Sequence, residues 1–376
     1  KINDRIKGMS EMRVAMIGHK QIPSRVGGVE VVVENLSEQL VKKGIEVDAY
    51  NRKSKYQKKY KQYKGIRIYE VFTVQKKSLD AIVATFFATL KALRRNYDVY
   101  HYHAEGPCLM LWLPHLFHKR VVVTIHGLDW QRAKWGKLAS RMLLTGEKFA
   151  VKYADEIIVL SQNIKKYFQD TYGRETIFIP NGVSRATYRK ANLIKQNYGL
   201  TKNGYLLFLA RIVPEKGLHY LIEAYKRMDT EIPLVIAGDW QYSVEYGRKI
   251  QQMCEKIPNI IMTGFVQGEM LYELFSNALL YILPSEVEGM AVSLLEAMSY
   301  GKCCLVSDIP ENMEIARGYV EAFRSGDTND LKEKLEKILQ EPEKREILGK
   351  KAKEYVLTQY NWEQITDATI KVYESK

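Results

Sequence analysis

Two glutamates, Glu288 and Glu296, stand within Ser285-Glu286-Val287-Glu288-Gly289-Met290-Ala291-Val292-Ser293-Leu294-Leu295-Glu296-Ala297. The apolar run 278–283 before them reads as a buried parallel strand, and the segment 288–300 after it reads as an amphipathic helix. The first glutamate is therefore expected on the loop at the strand's carboxyl end and the second two turns into the helix. Open α/β sheets bind ligands in that crevice. Two carboxylates eight residues apart on one helical face lie roughly 12 Å apart, too far to share a proton. They suit two hydroxyl-bearing parts of one elongated ligand better than a general acid–base pair. The plainer alternative is a solvated helix carrying two surface glutamates.

Arg211 and Lys216 share the loop after another apolar run, 205–210. A guanidinium and an ammonium on one carboxyl-end loop can converge on a diphosphate, unless they are merely surface cations. Gly27 and Gly28 open a long helical pattern, where bare backbone admits a close ligand and free amides suit anionic oxygens. A simple turn would need the same glycines. His126 ends the apolar strand 121–126 and precedes Gly127-Leu128-Asp129-Trp130. Such a histidine caps a sheet or serves chemistry at the strand end. There is no Asp-x-Asp pair to hold a divalent ion. Charge on a leaving diphosphate would then fall to Arg211, Lys216 and backbone amides, and no metal or other cofactor is expected.

These residues need sheets to hold them, and the sequence supplies two series of strands. The first is expected over 13–18, 45–50, 66–71, 99–103, 121–126, 156–160 and 176–179, the second over 205–210, 234–238, 260–263, 278–283 and 303–307. Helical patterns lie between most of them, at 28–43, 79–94, 133–153, 218–228, 245–256 and 288–300. Such alternation predicts parallel sheets covered by helices. The series part at Pro180-Asn181-Gly182-Val183-Ser184, and beyond Asp327 the pattern is helical throughout. With 376 residues, 46% of them hydrophobic, two cores are the expectation.

The net charge of +13 predicts attraction to polyanions. Its densest source is 52–64, where Arg52, Lys53, Lys55, Lys58, Lys59, Lys61 and Lys64 meet no acid. Tyr56, Tyr60 and Tyr63 fall on one helical face there. Either a basic amphipathic helix on an anionic membrane surface or a charged loop with packed tyrosines would account for this segment. Nucleic acid is not expected as a partner, since no recognition motif accompanies the charge. No apolar run reaches the roughly 18 residues of a membrane span. Cys108, Cys254, Cys303 and Cys304 form no C-x-x-C pair, which suggests a reducing, cytoplasmic setting.

Taken together, Gly27-Gly28-Val29-Glu30, His126-Gly127, Pro180-Asn181-Gly182, Arg211 with Lys216-Gly217, and Glu288 with Glu296 resemble the retaining glycosyltransferases of family four. The likeness runs in order along nearly the whole chain. Segments 24–30 and 126–136 further resemble a bacterial subgroup that includes capsule and cell-wall rhamnosyltransferases. The resemblance implies an α/β GT-B fold, two Rossmann-like domains with parallel sheets facing across an interdomain cleft. It places an N-terminal, acceptor-side domain at 9–184, a donor-side domain at 185–358, and a helix at 359–376 crossing back to the first. It implies that Arg211 and Lys216 bind the donor diphosphate, Glu288 the sugar hydroxyls and Glu296 the ribose. The amides of Gly289, Met290 and Ala291 would line the sugar and phosphate, Gly27 and Gly28 would close on the phosphates, and His126 would sit beside the reacting sugar. Transfer in such enzymes follows a front-face route needing no protein nucleophile. The chain departs from the family at Gly289-Met290-Ala291, where Gly-Phe-Gly is frequent, and at Ser184, where Asp is common.

The expected function is transfer of a sugar from a nucleotide diphosphate, dTDP-rhamnose or a UDP-sugar, to a lipid-linked saccharide on the cytoplasmic face of the plasma membrane. A nucleotide-sugar epimerase of the same fold and a non-catalytic protein that binds anionic surfaces are the alternatives.

Overall fold

The computed structural model describes residues 12–54, 59–74, 79–131, 136–241 and 243–375. The chain forms two compact units, Lys1–Gly182 with Trp362–Lys376, and Val183–Asn361. In the first, the strands are β1 (Arg13–Ile17), β2 (Glu46–Arg52), β3 (Gln62–Tyr63), β4 (Ile66–Val71), β5 (Val99–His103), β6 (Val121–Ile125), β7 (Glu156–Val159) and β8 (Ile177–Phe178). They form one sheet in the order β3-β4-β2-β1-β5-β6-β7-β8. In the second unit, β9 (Leu206–Leu209), β10 (Leu234–Ala237), β11 (Ile260–Gly264), β12 (Leu280–Leu283), β13 (Cys303–Ser307) and β14 (Glu321–Phe323) are ordered β11-β10-β9-β12-β13-β14.

Every strand pair in the second sheet is parallel, and in the first only β3 runs antiparallel, to β4. The strands read as unbroken apolar runs because helices cover both faces: Val121, Val122, Val123 and Ile125 are all fully buried. In each sheet the strand order reverses at the strand that comes first in the chain, between β1 and β5 and between β9 and β12. A crevice opens beyond the carboxyl ends of the strands at such a reversal.

Three expectations need correction. The described part of segment 52–64 holds no helix: Arg52 closes β2 and Tyr63 lies in β3, while 55–58, with Lys55, Tyr56 and Lys58, fall outside the described residues. Lys64 and Gly65 have φ of 48° and 81° and make the two-residue turn between β3 and β4, as hairpins with right-handed strand twist require. Several of the segment's charges also have acidic partners, Lys64 with Glu38 at 2.7 Å and Lys59 with Glu70 at 3.7 Å. The helix expected from 133 is described from Lys137 to Tyr153, with 132–135 outside the described residues. Finally, the helix expected from 288 is Val292–Ser299.

The last helix, Trp362–Glu374, belongs to the first unit. Asp367 pairs with Lys43 at 2.8 Å, and the Trp362 ring lies flat on Gly182. A Cβ at Gly182 would lie 2.3 Å from Trp362 Cδ2. Gly182→Ala should therefore lower stability by about 1–3 kcal/mol through overpacking. Gly106→Ala, whose methyl would meet only Leu143 Cδ2 at 3.6 Å, should shift it by less than about 0.5 kcal/mol. Urea titration of the two variants checks this difference.

Candidate active site

In the second unit the candidate residues collect at the β9/β12 reversal. Parallel pairing of Leu206 with Leu280 and Leu207 with Tyr281 sets the two strands side by side, so their carboxyl-end loops must meet. The loop after β9 makes one 3-10 turn at Pro214–Lys216 and ends at Gly217, φ 64°. A Cβ there would come 1.9 Å from the Pro284 carbonyl oxygen, so both conformation and space demand glycine. Two residues earlier, the Glu215 carbonyl accepts from the Glu286 amide at 2.9 Å.

This junction brings Lys216 onto Glu288. The Lys216 ammonium pairs with Glu288 Oε1, and Ser285 Oγ donates to the same oxygen at 2.6 Å. The two charged side chains are 12% and 7% exposed. Burying an ion pair costs desolvation that its attraction only partly repays, so stability alone is a weak reason for this one. An ammonium has three hydrogens, and a second anion can share Lys216 without displacing Glu288.

The placement of Glu288 corrects the idea of two glutamates on one helical face. Glu288 stays on the loop because Ser285 and Lys216 hold it there, and the helix starts only after Ala291, whose backbone is extended. Glu296 alone lies on the helix. Gly289, Met290 and Ala291 are buried at its N-terminal approach. Tyr281, beneath them, donates to Ser293 Oγ at 2.8 Å. Burial pushes its phenol well up, and the charges of Glu288 and Glu296 add to the effect. Arg211, half-buried on the β9 loop, has no side-chain hydrogen bond among the described residues.

Sequence reasoning passed over Glu215. It is 5% exposed, and neither carboxylate oxygen has a hydrogen-bond partner among the described residues. Its position between Pro214 and Lys216 was the only available signal.

In the first unit Gly27 and Gly28 begin the helix Gly28–Lys42. Glu30, in its first turn, accepts from the Lys20 amide at 3.0 Å and so ties the loop after β1 to the helix start. His126 follows β6 and is half-buried. Sequence reasoning missed its setting, a file of histidines along β5. His103 Nδ1 lies 3.1 Å from His126 Nε2, and the His101 and His103 rings are 4.2 Å apart. His101 meets Tyr373 OH and Thr124 Oγ1, each at 2.7 Å. The spacing His101-x-His103 on a buried strand puts both rings on one face, and that was legible.

The file fixes a proton. His103 Nε2 faces Met16 Sδ at 3.5 Å, and a thioether can only accept, so Nε2 carries the hydrogen. Burial holds His103 neutral, its pKa well below the usual value, which leaves Nδ1 to accept from His126 Nε2.

Beyond His126, Trp130 Nε1 donates to Glu147 at 3.2 Å, and Tyr167 donates to the same carboxylate at 2.8 Å. Burial, with the charges of Asp129 and Glu147, pushes the neighbouring Glu105 carboxyl up to about 10. The segment after His126 is thus braced on a buried acidic cluster.

With this geometry in hand, comparison with known proteins is direct. A model described as Glycosyl transferases group 1 matches residues 190–375, and one described as Glycosyltransferase Family 4 matches residues 26–186. Sucrose-phosphate synthase of Thermosynechococcus elongatus superposes with a TM-score of 0.84 at 21% identity, covering 96% of this chain and 98% of that one. Anabaena HepE in complex with UDP and glucose gives 0.82 at 16%, covering 97% and 100%. The fold is therefore GT-B. O-antigen chain mannosyltransferase C of Escherichia coli is 27% identical over 311 residues, 79% of this chain and 80% of that one. The chain is a GT-B glycosyltransferase of the group 1 and family 4 type.

The buried histidines predict acid sensitivity of the first unit. Burial lowers His19 to about 4 and His101 to about 3, and His103 lies well below 6.5. Below pH 6.5 the unfolded chain therefore binds protons that the folded chain refuses, and stability falls as pH drops from 6.5 towards 4. Glu105, protonated in the fold, acts in the opposite sense, so two of the three protons count, each about 1.4 kcal/mol per pH unit. Hydrogen exchange at pH 7 and 5 should show β5 and β6 losing more protection than β9 and β12. Equal loss would contradict the assignment.

Proposed function

We propose that the enzyme transfers a sugar from a nucleotide diphosphate to a lipid-linked saccharide, with retention, in bacterial surface-polysaccharide assembly. The observation that carries this reading is the Lys216–Glu288 pair at the carboxyl ends of β9 and β12, on a loop that also carries Arg211. It joins cations for a diphosphate to a carboxylate for sugar hydroxyls within one short loop pair. Arg211 and Lys216 neutralise the leaving diphosphate, together with the amides of Gly289, Met290 and Ala291, and no metal ion takes part. Glu288 orients the donor sugar and Glu296 holds the ribose.

From the first unit, Gly27 and Gly28 contact the donor phosphates, and His126 sits beside the reacting sugar. The leaving diphosphate itself takes the acceptor's proton on the front face, so no protein carboxylate attacks the anomeric carbon. dTDP-rhamnose is the first donor to test, on the likeness of segments 24–30 and 126–136 to rhamnosyltransferases; UDP-sugars follow, since HepE binds UDP and glucose. The kinship with an O-antigen chain mannosyltransferase supports a lipid-linked saccharide acceptor. The enzyme then works as a peripheral protein on the inner face of the plasma membrane.

Transfer from a panel of nucleotide sugars to lipid-linked acceptors tests the reading. Arg211→Ala and Lys216→Ala should each lower kcat/KM by about 10²–10³, and Glu288→Gln should lower kcat comparably. Excess EDTA should leave the rate unchanged. Glu288→Gln activity within about twofold of wild type would remove that residue from the donor site.

A further inference from the structure

The helix Asp80–Leu93 has its amphipathicity reversed. Its buried positions are Ala84, Thr85, Ala88, Thr89 and Ala92, while Phe86 and Phe87 face solvent, 36% and 40% exposed. A surface helix ordinarily buries its large apolar residues and exposes its small and polar ones. Here the threonines are accommodated inside by bonding to backbone, Thr85 to the Ala81 carbonyl at 2.7 Å and Thr89 to that of Thr85 at 2.8 Å. The inner face packs closely on the sheet and the outer face is left greasy.

The outer face is extended by its neighbours. Phe72, 56% exposed, sets its ring edge-on to Phe87 with centroids 5.4 Å apart. Alongside packs the short helix Trp112–Leu116, where Trp112, Leu116 and Phe117 are 38%, 62% and 61% exposed. Lys119 Nζ reaches Asn96 Oδ1 at 2.6 Å and fastens the end of one helix to the turn after the other. So many large exposed apolar groups in one region mark an interaction surface.

Charge identifies the occupant. Lys91, Arg94, Arg95 and Lys119 stand where the two helices end. The acid at the helix start, Asp80, is paired with Arg52 at 2.8 Å. Large apolar side chains rimmed by cations match an anionic bilayer, whose interface takes aromatic rings and whose headgroups take lysine and arginine. Among the described residues no helix is long and apolar enough to cross a membrane, so the contact is with the surface.

We propose that the face formed by Phe72, Phe86, Phe87, Trp112, Leu116 and Phe117 docks on an anionic phospholipid bilayer. This moves the membrane contact away from segment 52–64. It deepens the reading of a lipid-linked acceptor and rests on that reading for its purpose, though its binding test stands apart from catalysis.

The experiment is co-sedimentation of the full chain with vesicles of equimolar phosphatidylglycerol and phosphatidylcholine, and with phosphatidylcholine alone. Wild type should bind the anionic vesicles, less so at high salt. Phe86→Ser with Phe87→Ser, and separately Leu116→Ser with Phe117→Ser, should each lower the partition coefficient at least about tenfold. Lys59→Glu with Lys61→Glu should change it by less than about twofold. Melting curves matching wild type would show that these exposed substitutions leave the fold intact. Unchanged binding of both serine pairs, or no wild-type binding, overturns the proposal. So does light scattering that finds a lipid-free dimer dissociated by Phe86→Ser with Phe87→Ser, because a second copy would then cover the face. Vesicle binding lost in the variants, with no transfer to any lipid-linked acceptor by wild type, would refute the proposed function and leave the surface standing.

Discussion

The second unit is organised around one buried ion pair. Lys216 and Glu288 come from different loops, and they meet because β9 and β12 are neighbours, because Gly217 lets its loop press on Pro284, and because the Glu215 carbonyl accepts from the Glu286 amide. Ser285 adds a hydrogen bond to the same carboxylate oxygen. Each feature costs something locally, a left-handed glycine or two desolvated charges, and none is needed to close the sheet. Their joint effect is a fixed cation and a fixed carboxylate at the mouth of a crevice, already oriented before a ligand arrives. Such preorganisation is what stabilises charge that develops on a leaving diphosphate.

The first unit achieves rigidity differently. Its file of histidines runs from Tyr373 on the last helix through His101 and His103 to His126. Burial keeps the inner two neutral, so the file transmits hydrogen-bond direction and not charge. Met16 decides that direction, because a thioether can only accept. A buried thioether thus sets which nitrogen of His126 donates into the file. The C-terminal helix matters to the same file, since it supplies the tyrosine at its far end.

Much of this was legible in the sequence, for definite reasons. Buried parallel strands leave near-continuous apolar runs, so all but two of the strands were expected close to where they lie. The two missed, β3 and β14, are edge strands of two and three residues, too short to show a period. Arg211, Lys216 and Glu288 drew attention in the sequence because each lies on a loop after an apolar run. The contact of Lys216 with Glu288 was not foreseeable, since it depends on strand order. Over 52–64 the tyrosine spacing left a helix and a loop both open, and Lys64-Gly65, a turn signal, decided the local structure between β3 and β4. Glu288 was placed too near the helix because nothing in the sequence says where Ser285 will hold it. The reversed polarity of Asp80–Leu93 was hidden as well, because an apolar helix does not declare which side faces in.

The account stands on the second unit recognising a nucleoside diphosphate through Arg211 and Lys216. Isothermal titration of UDP, dTDP, GDP and ADP into the full-length protein, repeated with Arg211→Ala, tests this most directly. The prediction is that one nucleoside diphosphate binds wild type and loses at least about tenfold in affinity, some 1.4 kcal/mol, in the variant. Equal affinity in the two proteins, or no binding of any of the four, would contradict it.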